Sequence, residues 1–117
     1  MATLDGQAFS ASTDGKQIAI PATSTPGTLV HTAGAGSGTA ADHDEVYMYL
    51  HNNSAAAVEA TIEWGADAAN DQEVVSIPSK AGRQLVIPGL PLQNSLTVRV
   101  FAPATIYASG MIHRIDK

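Results

Sequence analysis

The chain has no cysteine and few aromatic residues, and it carries six Lys and Arg against eleven Asp and Glu among 117 residues. Without cysteine it forms no disulfide and offers no thiolate for chemistry. The net charge of -5 and the dispersed basic residues argue against a nucleic-acid surface, which needs clustered Lys and Arg to neutralise phosphates. No apolar run approaches the length of a membrane span, and the first ten residues lack the pattern of a signal peptide. We therefore expect neither nucleic acid nor a membrane as a partner.

Long helical periodicity is also missing, and apolar residues alternate instead with period two, as in half-buried β-strands. The clearest alternation covers Val46–His51 and Val58–Trp64, which are separated by Asn52-Asn53-Ser54. Because Asn tolerates positive φ and favours turns, this stretch predicts an antiparallel hairpin. Trp64 ends the apolar row and is the predicted core anchor.

Short strand candidates with turn signals between them recur about every 8–12 residues. Glu73–Pro78 and Arg83–Pro88 are separated by a tight turn and predict a second hairpin, after which Gly89–Ser95 is a predicted turn. The last candidate, Thr105–Arg114, contains Gly110, which indicates a bulge or a close backbone approach. About seven or eight such strands predict an all-β fold, an antiparallel β-sandwich of the jelly-roll or another Greek-key kind.

The first 26 residues carry little periodicity and are predicted to precede the sandwich domain, residues 27–117. In this segment a short apolar patch is followed by PATSTP, whose two prolines favour extended backbone. Two alternatives stay open, and both can hold: an extended N-terminal arm, or a first edge strand over Gln17–Pro21. An arm would add a strand to a neighbouring sheet edge through Ile18, Ile20 and Pro21.

Two acidic loops are the candidate cation sites. Asp42-His43-Asp44-Glu45 is the densest group of ligand-type side chains, and Asp67, Asn70 and Asp71 form a second oxygen-rich loop. Neither has EF-hand spacing, and consecutive residues of an extended chain point in opposite directions, so we expect solvated acidic loops and no metal. The four histidines lack zinc-ligand spacing and are expected at surface or half-buried positions: His31, His43, His51 and His113.

No catalytic constellation is visible in the sequence. Residues 34–38 read GAGSG, which puts serine at the fourth position of a nucleophile-elbow pattern that needs it at the third. Glu59 and Glu63 fall on the outward phase of one strand, where solvated carboxylates are expected. We therefore expect no enzyme and no cofactor.

Three runs resemble small virion proteins of tailed bacteriophages: VYMYLHNNSAAAVEATIEWG, VVSIPSKAGRQLVIPGLPLQNSLTVRVFA and the final GMIHRI, within about residues 45–115. Proteins of that kind are encoded beside the major capsid gene and are described as head decoration, cement or structural proteins. The resemblance implies a β-sandwich on the outer capsid surface, where it clamps capsid subunits, often as a trimer. It offers no catalytic residues to carry over.

The composition fits this implication, because aromatic residues at 5% and abundant alanine predict a thin core. A thin-cored domain gains stability from burial against a partner, here the major capsid protein or further copies of the chain. The expected location is then the virion surface.

A carbohydrate- or receptor-binding module of a phage fibre or tail is the alternative. Tyr47 and Tyr49 share one strand face, an arrangement that suits stacking on sugar rings and equally suits a subunit interface, where Tyr is enriched. Both tyrosines are therefore candidate partner-binding residues, together with Ile18, Ile20 and Pro21.

Overall fold

Two antiparallel β-sheets pack face to face in the computed structural model, which describes residues 3–39, 41–66 and 69–116. The predicted sandwich is therefore confirmed. Within these ranges the only helical element is one 3-10 turn, Ala69–Asp71, and no helix is long and apolar enough to cross a membrane. The strands of the described ranges are β1 (Thr3–Gln7), β2 (Ile18–Ile20), β3 (Thr28–Thr32), β4 (His43–His51), β5 (Val58–Gly65), β6 (Gln72–Ile77), β7 (Gln84–Leu92), β8 (Thr97–Phe101) and β9 (Ile106–Asp116).

The strands pair in the order of a jelly roll. The first sheet runs β1-β9-β4-β7, with β2 also paired to β9, and the second runs β3-β8-β5-β6. β1 and β2 pair with the two ends of β9, so together they occupy one position at the sheet edge. The pairs are nested along the chain: β1 and β2 pair with β9, β3 with β8, β4 with β7, and β5 with β6. Two Greek keys folded into two sheets produce this nesting.

Both predicted hairpins are wrong. β4 and β5 lie in different sheets, so the chain between them forms an arch from one sheet to the other. β6 and β7 are likewise in different sheets, and β7 continues through the predicted turn at Gly89 as far as Leu92. The turn predicted at Asn52 is nevertheless present. The buried Asn52 side chain donates through Nδ2 to the carbonyls of Ala56 and Ile77, and its Oδ1 accepts the backbone N–H of Ser54. A local turn signal does not reveal which strand each arm will pair with.

The core is aliphatic and is drawn from the inward phase of both sheets. Val46, Met48 and Leu50 are fully buried, as their alternation predicts. Trp64 is half-buried and packs against the core from its boundary, so its predicted role as the anchor is wrong. Isoleucines fill that role instead: Ile20, Ile62, Ile77, Ile87, Ile106 and Ile112.

The N-terminal residues are part of the sandwich. The edge-strand alternative describes residues 18–20, since β2 pairs with β9 and Ile20 is fully buried. Phe9, between β1 and β2, is buried in the same core. Described residues on both sides of position 26 thus share one core, and β2 lies where the edge strand was predicted.

At Gly110 the backbone of β9 closely approaches that of β4. Its φ is +140°, and an added Cβ would lie 2.0 Å from the carbonyl oxygen of Tyr47 and 3.1 Å from Cζ of Phe9. The close approach predicted from a glycine inside a strand is therefore confirmed. Without a side chain at this position, β9 can lie against β4 while Phe9 packs beneath it.

Substituting Gly110→Ala is expected to lower the free energy of unfolding by about 3 kcal/mol or more, because the methyl group collides with backbone and the φ is strained. Gly34→Ala is the matched control, since its Cβ would meet nothing closer than 3.9 Å and its φ is not in the strained range. The control should change stability by about 0.5 kcal/mol or less. Urea unfolding of both variants measures the difference, and equal stabilities would contradict the close approach.

Candidate functional site

The outer face of the first sheet presents the two predicted tyrosines to solvent. Tyr47 and Tyr49 are half-buried on β4, and the strand register places Met111 and Pro88 beside Tyr47 and Leu85 beside Tyr49. Leu85 is 51% exposed and Met111 39% exposed, so aliphatic groups lie open next to the tyrosine rings. We call these five residues the outer tyrosine face: Tyr47, Tyr49, Leu85, Pro88 and Met111.

The Tyr47 side chain is held in place by its neighbours. The ring lies over Gly89, where an added Cβ would be 2.8 Å from it, and its centroid is 5.0 Å from that of His113 with an interplanar angle of 58°. A tilted aromatic contact at this distance is favourable. The outer tyrosine face therefore offers a pre-oriented aromatic group to a partner.

The other three predicted partner-binding residues lie elsewhere. Ile20 is fully buried in the chain's own core, and Ile18 is half-buried and packs against that core. Only Pro21 is exposed. β2 pairs with β9 within the chain, and the addition of this segment to a neighbour's sheet edge stays a prediction.

Two pockets open beside the outer tyrosine face and meet at Arg83. One, of about 420 Å³, is lined by Gln17, His51 and Gly82 together with Arg83. The other, of about 520 Å³, is lined by Arg83 and by Gly15, Tyr49, Ser109, Gly110 and Met111. We call the two pockets together the Arg83 groove. No sequence signal marks it, because its lining comes from β4, β9 and the approaches to β2 and β7, which are far apart in the chain.

The densest group of predicted ligands contains a buried ion pair instead of a solvated loop. Asp44 is fully buried, and Arg114 donates to both of its carboxylate oxygens, with Nε at 2.8 Å and Nη2 at 3.0 Å. His31 lies 2.8 Å from the same carboxylate through Nε2. Asp44 shares the phase of Val46, and this phase is the signal that would have placed it inside.

His31 is buried as well, in contrast to the expected surface or half-buried position. The backbone N–H of Ser10 donates to its Nδ1 at 3.0 Å, so Nδ1 is an acceptor and carries no proton. Nε2 then bears the hydrogen and donates to Asp44. Both imidazole nitrogens are occupied, which suits a structural role for this histidine.

Burial by itself would raise the pKa of Asp44 and is the largest single influence on it. The hydrogen bonds from Arg114 and His31, together with the Arg114 charge, outweigh burial, so the pKa of Asp44 lies below its ordinary value of 3.8. The carboxylate therefore remains ionised in the folded protein throughout the neutral range.

Glu63 is on the outward phase, as predicted, yet it is 1% exposed. The segment before β3 covers it: the Thr25 hydroxyl and the Gly27 backbone N–H both donate to its carboxylate. Arg99, on the neighbouring strand, donates to the carbonyl of Gly27. The expectation of a solvated carboxylate is therefore wrong for Glu63, because this segment replaces water over part of the second sheet. Glu59 is exposed, as expected.

Neither acidic loop forms a metal centre in the part of the chain that the structure describes. No group of three or more His, Cys, Asp or Glu side chains is placed there to hold a metal ion. Asp67 lies outside the described residues, and Asp71 belongs to the 3-10 turn before β6.

Replacing the buried carboxylate in Asp44→Asn is expected to lower the free energy of unfolding by about 2–3 kcal/mol at pH 7, because Arg114 loses its counter-ion. Arg114 is 32% exposed and regains water, which keeps the loss below that of a fully buried pair. Glu59→Gln removes an exposed carboxylate and should change stability by about 0.5 kcal/mol or less.

The difference between wild type and Asp44→Asn also depends on pH. Because folding lowers the pKa of Asp44, its contribution is complete above the unfolded value of 3.8 and is lost as the pH falls through the folded pKa. Urea unfolding at a series of pH values should show a constant gap from pH 7 to about pH 5 that narrows below about pH 4. A gap that is constant into strong acid would contradict the ion pair.

No family model, no curated protein and no solved structure matches the chain.

Proposed function

We propose that the chain is a structural protein of a virion that binds the outer surface of the viral head, as a decoration or cement protein, through the outer tyrosine face. The observation that carries this proposal is the exposure of Leu85 and Met111 beside Tyr47 and Tyr49. Protein interfaces are enriched in tyrosine and methionine and combine apolar contact with a polar rim. The partner is the major capsid protein, and the location is the virion surface.

The distribution of cover over the two sheets supports this choice of face. The segment before β3 lies over part of the second sheet and is fastened there through Glu63 and Arg99. The outer tyrosine face keeps its aliphatic groups open, whereas the segment before β3 covers the Glu63 side of the other sheet and leaves Val74 on β6 exposed. Burying such an exposed apolar area against a partner contributes favourable free energy to binding.

Docking through the face also fits the edge of the first sheet. β7 is the terminal strand beside β4, and its register with β4 shifts twice, between Val46 and Tyr47 and between Met48 and Tyr49. It also carries Pro88 and Pro91, which have no N–H to donate. Bulges and prolines discourage the addition of a further strand at the β7 edge, which favours docking through the adjoining face.

The fold is compatible with such a role without specifying it. Jelly rolls occur in viral capsid proteins and in lectins, and fold alone does not assign function. The buried Asp44 carboxylate is paired with His31 and Arg114 and leaves the outer faces as the surfaces available for binding. A partner that recognises only the assembled shell would stabilise that shell by mass action.

Carbohydrate binding is the second candidate, and one observation favours it. Tyr49 lines a pocket that also contains Arg83 and Ser109, so an aromatic ring and hydrogen-bonding groups converge there. Sugar-binding sites combine these two features.

Substituting Leu85→Asp should abolish binding to shells assembled from the major capsid protein of the same virus, or weaken it at least thirtyfold, about 2 kcal/mol. A carboxylate at the centre of the contact would replace an apolar side chain and would have to be desolvated. Leu96→Asp is the matched control, because Leu96 has a similar exposure of 41% and lies in the turn before β8. Co-sedimentation with expanded shells measures both variants, and equal binding by both would contradict docking through this face.

The proposal also predicts a homo-oligomer, with a trimer as the expected form. Light scattering coupled to size exclusion should give about three times the chain mass of 12.1 kDa. A monomer at all accessible concentrations would contradict the trimer.

A further inference from the structure

The Arg83 groove differs in charge from the rest of the protein. The chain has a net charge of -5, yet among the described residues no Asp or Glu lines either pocket. Arg83 is exposed and borders both pockets, so its guanidinium is available to a ligand in either one. Lys16 lies in sequence between two lining residues, and Lys80 lies two positions before Gly82, while Asp14 is the one acidic neighbour along these segments. The local charge of the groove therefore favours an anionic group.

A buried nitrogen in the same groove has no partner. Nδ1 of His51 is inaccessible to solvent and makes no hydrogen bond within the described chain, although its ring lines the pocket beside Arg83. Buried polar atoms are almost always paired, and an unpaired one costs free energy. The ring is positioned 6.5 Å from that of Tyr107, with an interplanar angle of 33°.

Aliphatic side chains border the groove. Leu85 is the cross-strand neighbour of Tyr49, and Met111 both lines the groove and belongs to the outer tyrosine face. A saccharide has few groups that gain from contact with leucine and methionine, whereas a polypeptide segment has many. The groove is thus continuous with the surface assigned to docking.

We propose that the Arg83 groove receives an acidic segment of the capsid subunit, with a carboxylate paired to the Arg83 guanidinium between Tyr49 and His51. The inference rests on the proposed function and names the chemistry of the partner at that surface. Arginine pairs with carboxylates in a bidentate geometry that lysine does not reproduce. The outer tyrosine face then contributes apolar contact, and Arg83 contributes orientation and salt-dependent affinity.

The test compares Arg83→Gln with wild type in shell co-sedimentation over a range of salt concentrations. We expect Arg83→Gln to bind at least tenfold more weakly at low salt and to show a flatter salt dependence, because screening weakens only the charged contact. Arg83→Lys should retain the salt dependence and recover part of the affinity. Glu59→Gln is the control, since it changes an exposed charge on the second sheet and should bind within about twofold of wild type. Circular dichroism and urea midpoints confirm that each variant is folded.

The outcomes separate the two proposals. Absence of shell binding by the wild type at every salt concentration would overturn the proposed function. Binding that is lost in Leu85→Asp and unchanged in Arg83→Gln would leave docking through the face intact and overturn the acidic segment. A parallel titration with a hexasaccharide of hyaluronan tests an acidic glycan as the ligand. If Arg83→Gln abolishes hexasaccharide binding and leaves shell binding unchanged, the groove binds an acidic glycan and the inference is overturned.

Discussion

The carboxylate of Asp44 joins the two sheets and, through His31, the N-terminal segment. It lies on β4, receives both Arg114 bonds from β9, and accepts the Nε2–H of His31 from the opposite sheet. His31 in turn accepts the backbone N–H of Ser10, while the Ser10 hydroxyl accepts the N–H of Thr32. A chain of paired groups therefore runs from the N-terminal segment through the second sheet to the first. Because an unpaired buried charge is costly, the two sheets and this segment must come together in one arrangement for the network to form.

Nested pairing explains which predictions from the sequence succeed. The phase of each strand is a local property, so the alternation in β4 correctly assigned Val46, Met48 and Leu50 to the core. The pairing of strands is not local, since a jelly roll pairs early strands with late ones and leaves β5 and β6 as its one adjacent pair in the described sheets. Turn signals at Asn52 and Gly82 indicated bends correctly but could not distinguish a hairpin from an arch between sheets.

The burial of polar residues was difficult to predict from the sequence for the same reason. Asp44 and Arg114 share the inward phase of their strands, and that phase, taken alone, would have indicated a buried pair. The acidic composition of the loop instead indicated that Asp44 is solvated, because an isolated buried carboxylate is unfavourable. The partner that makes burial possible, Arg114, is 70 positions away in the chain. Glu63 shows the converse case: its outward phase was correct, and its burial depends on a segment from a different part of the chain. The Arg83 groove was unpredictable for this reason, as no two of its contributing segments are adjacent in sequence.

The difference between the outer faces of the two sheets connects the fold to its proposed role. Each sheet of a sandwich must bury one face, and the opposite face needs either polar side chains or cover. In the second sheet the segment before β3 provides cover, with the backbone N–H of Ala102 bonded to the carbonyl of Ala22 and the Glu63 carboxylate bonded to Thr25 and Gly27.

In the first sheet the equivalent area is aromatic and aliphatic, and Tyr47 is held in a fixed orientation by Gly89 and His113. Because folding already holds the Tyr47 ring in one rotamer, its conformational entropy is lost before any partner binds. Binding therefore does not have to pay this entropic cost. A surface organised in advance next to a cationic groove in an acidic protein is therefore suited to one docked partner that presents both apolar and carboxylate groups.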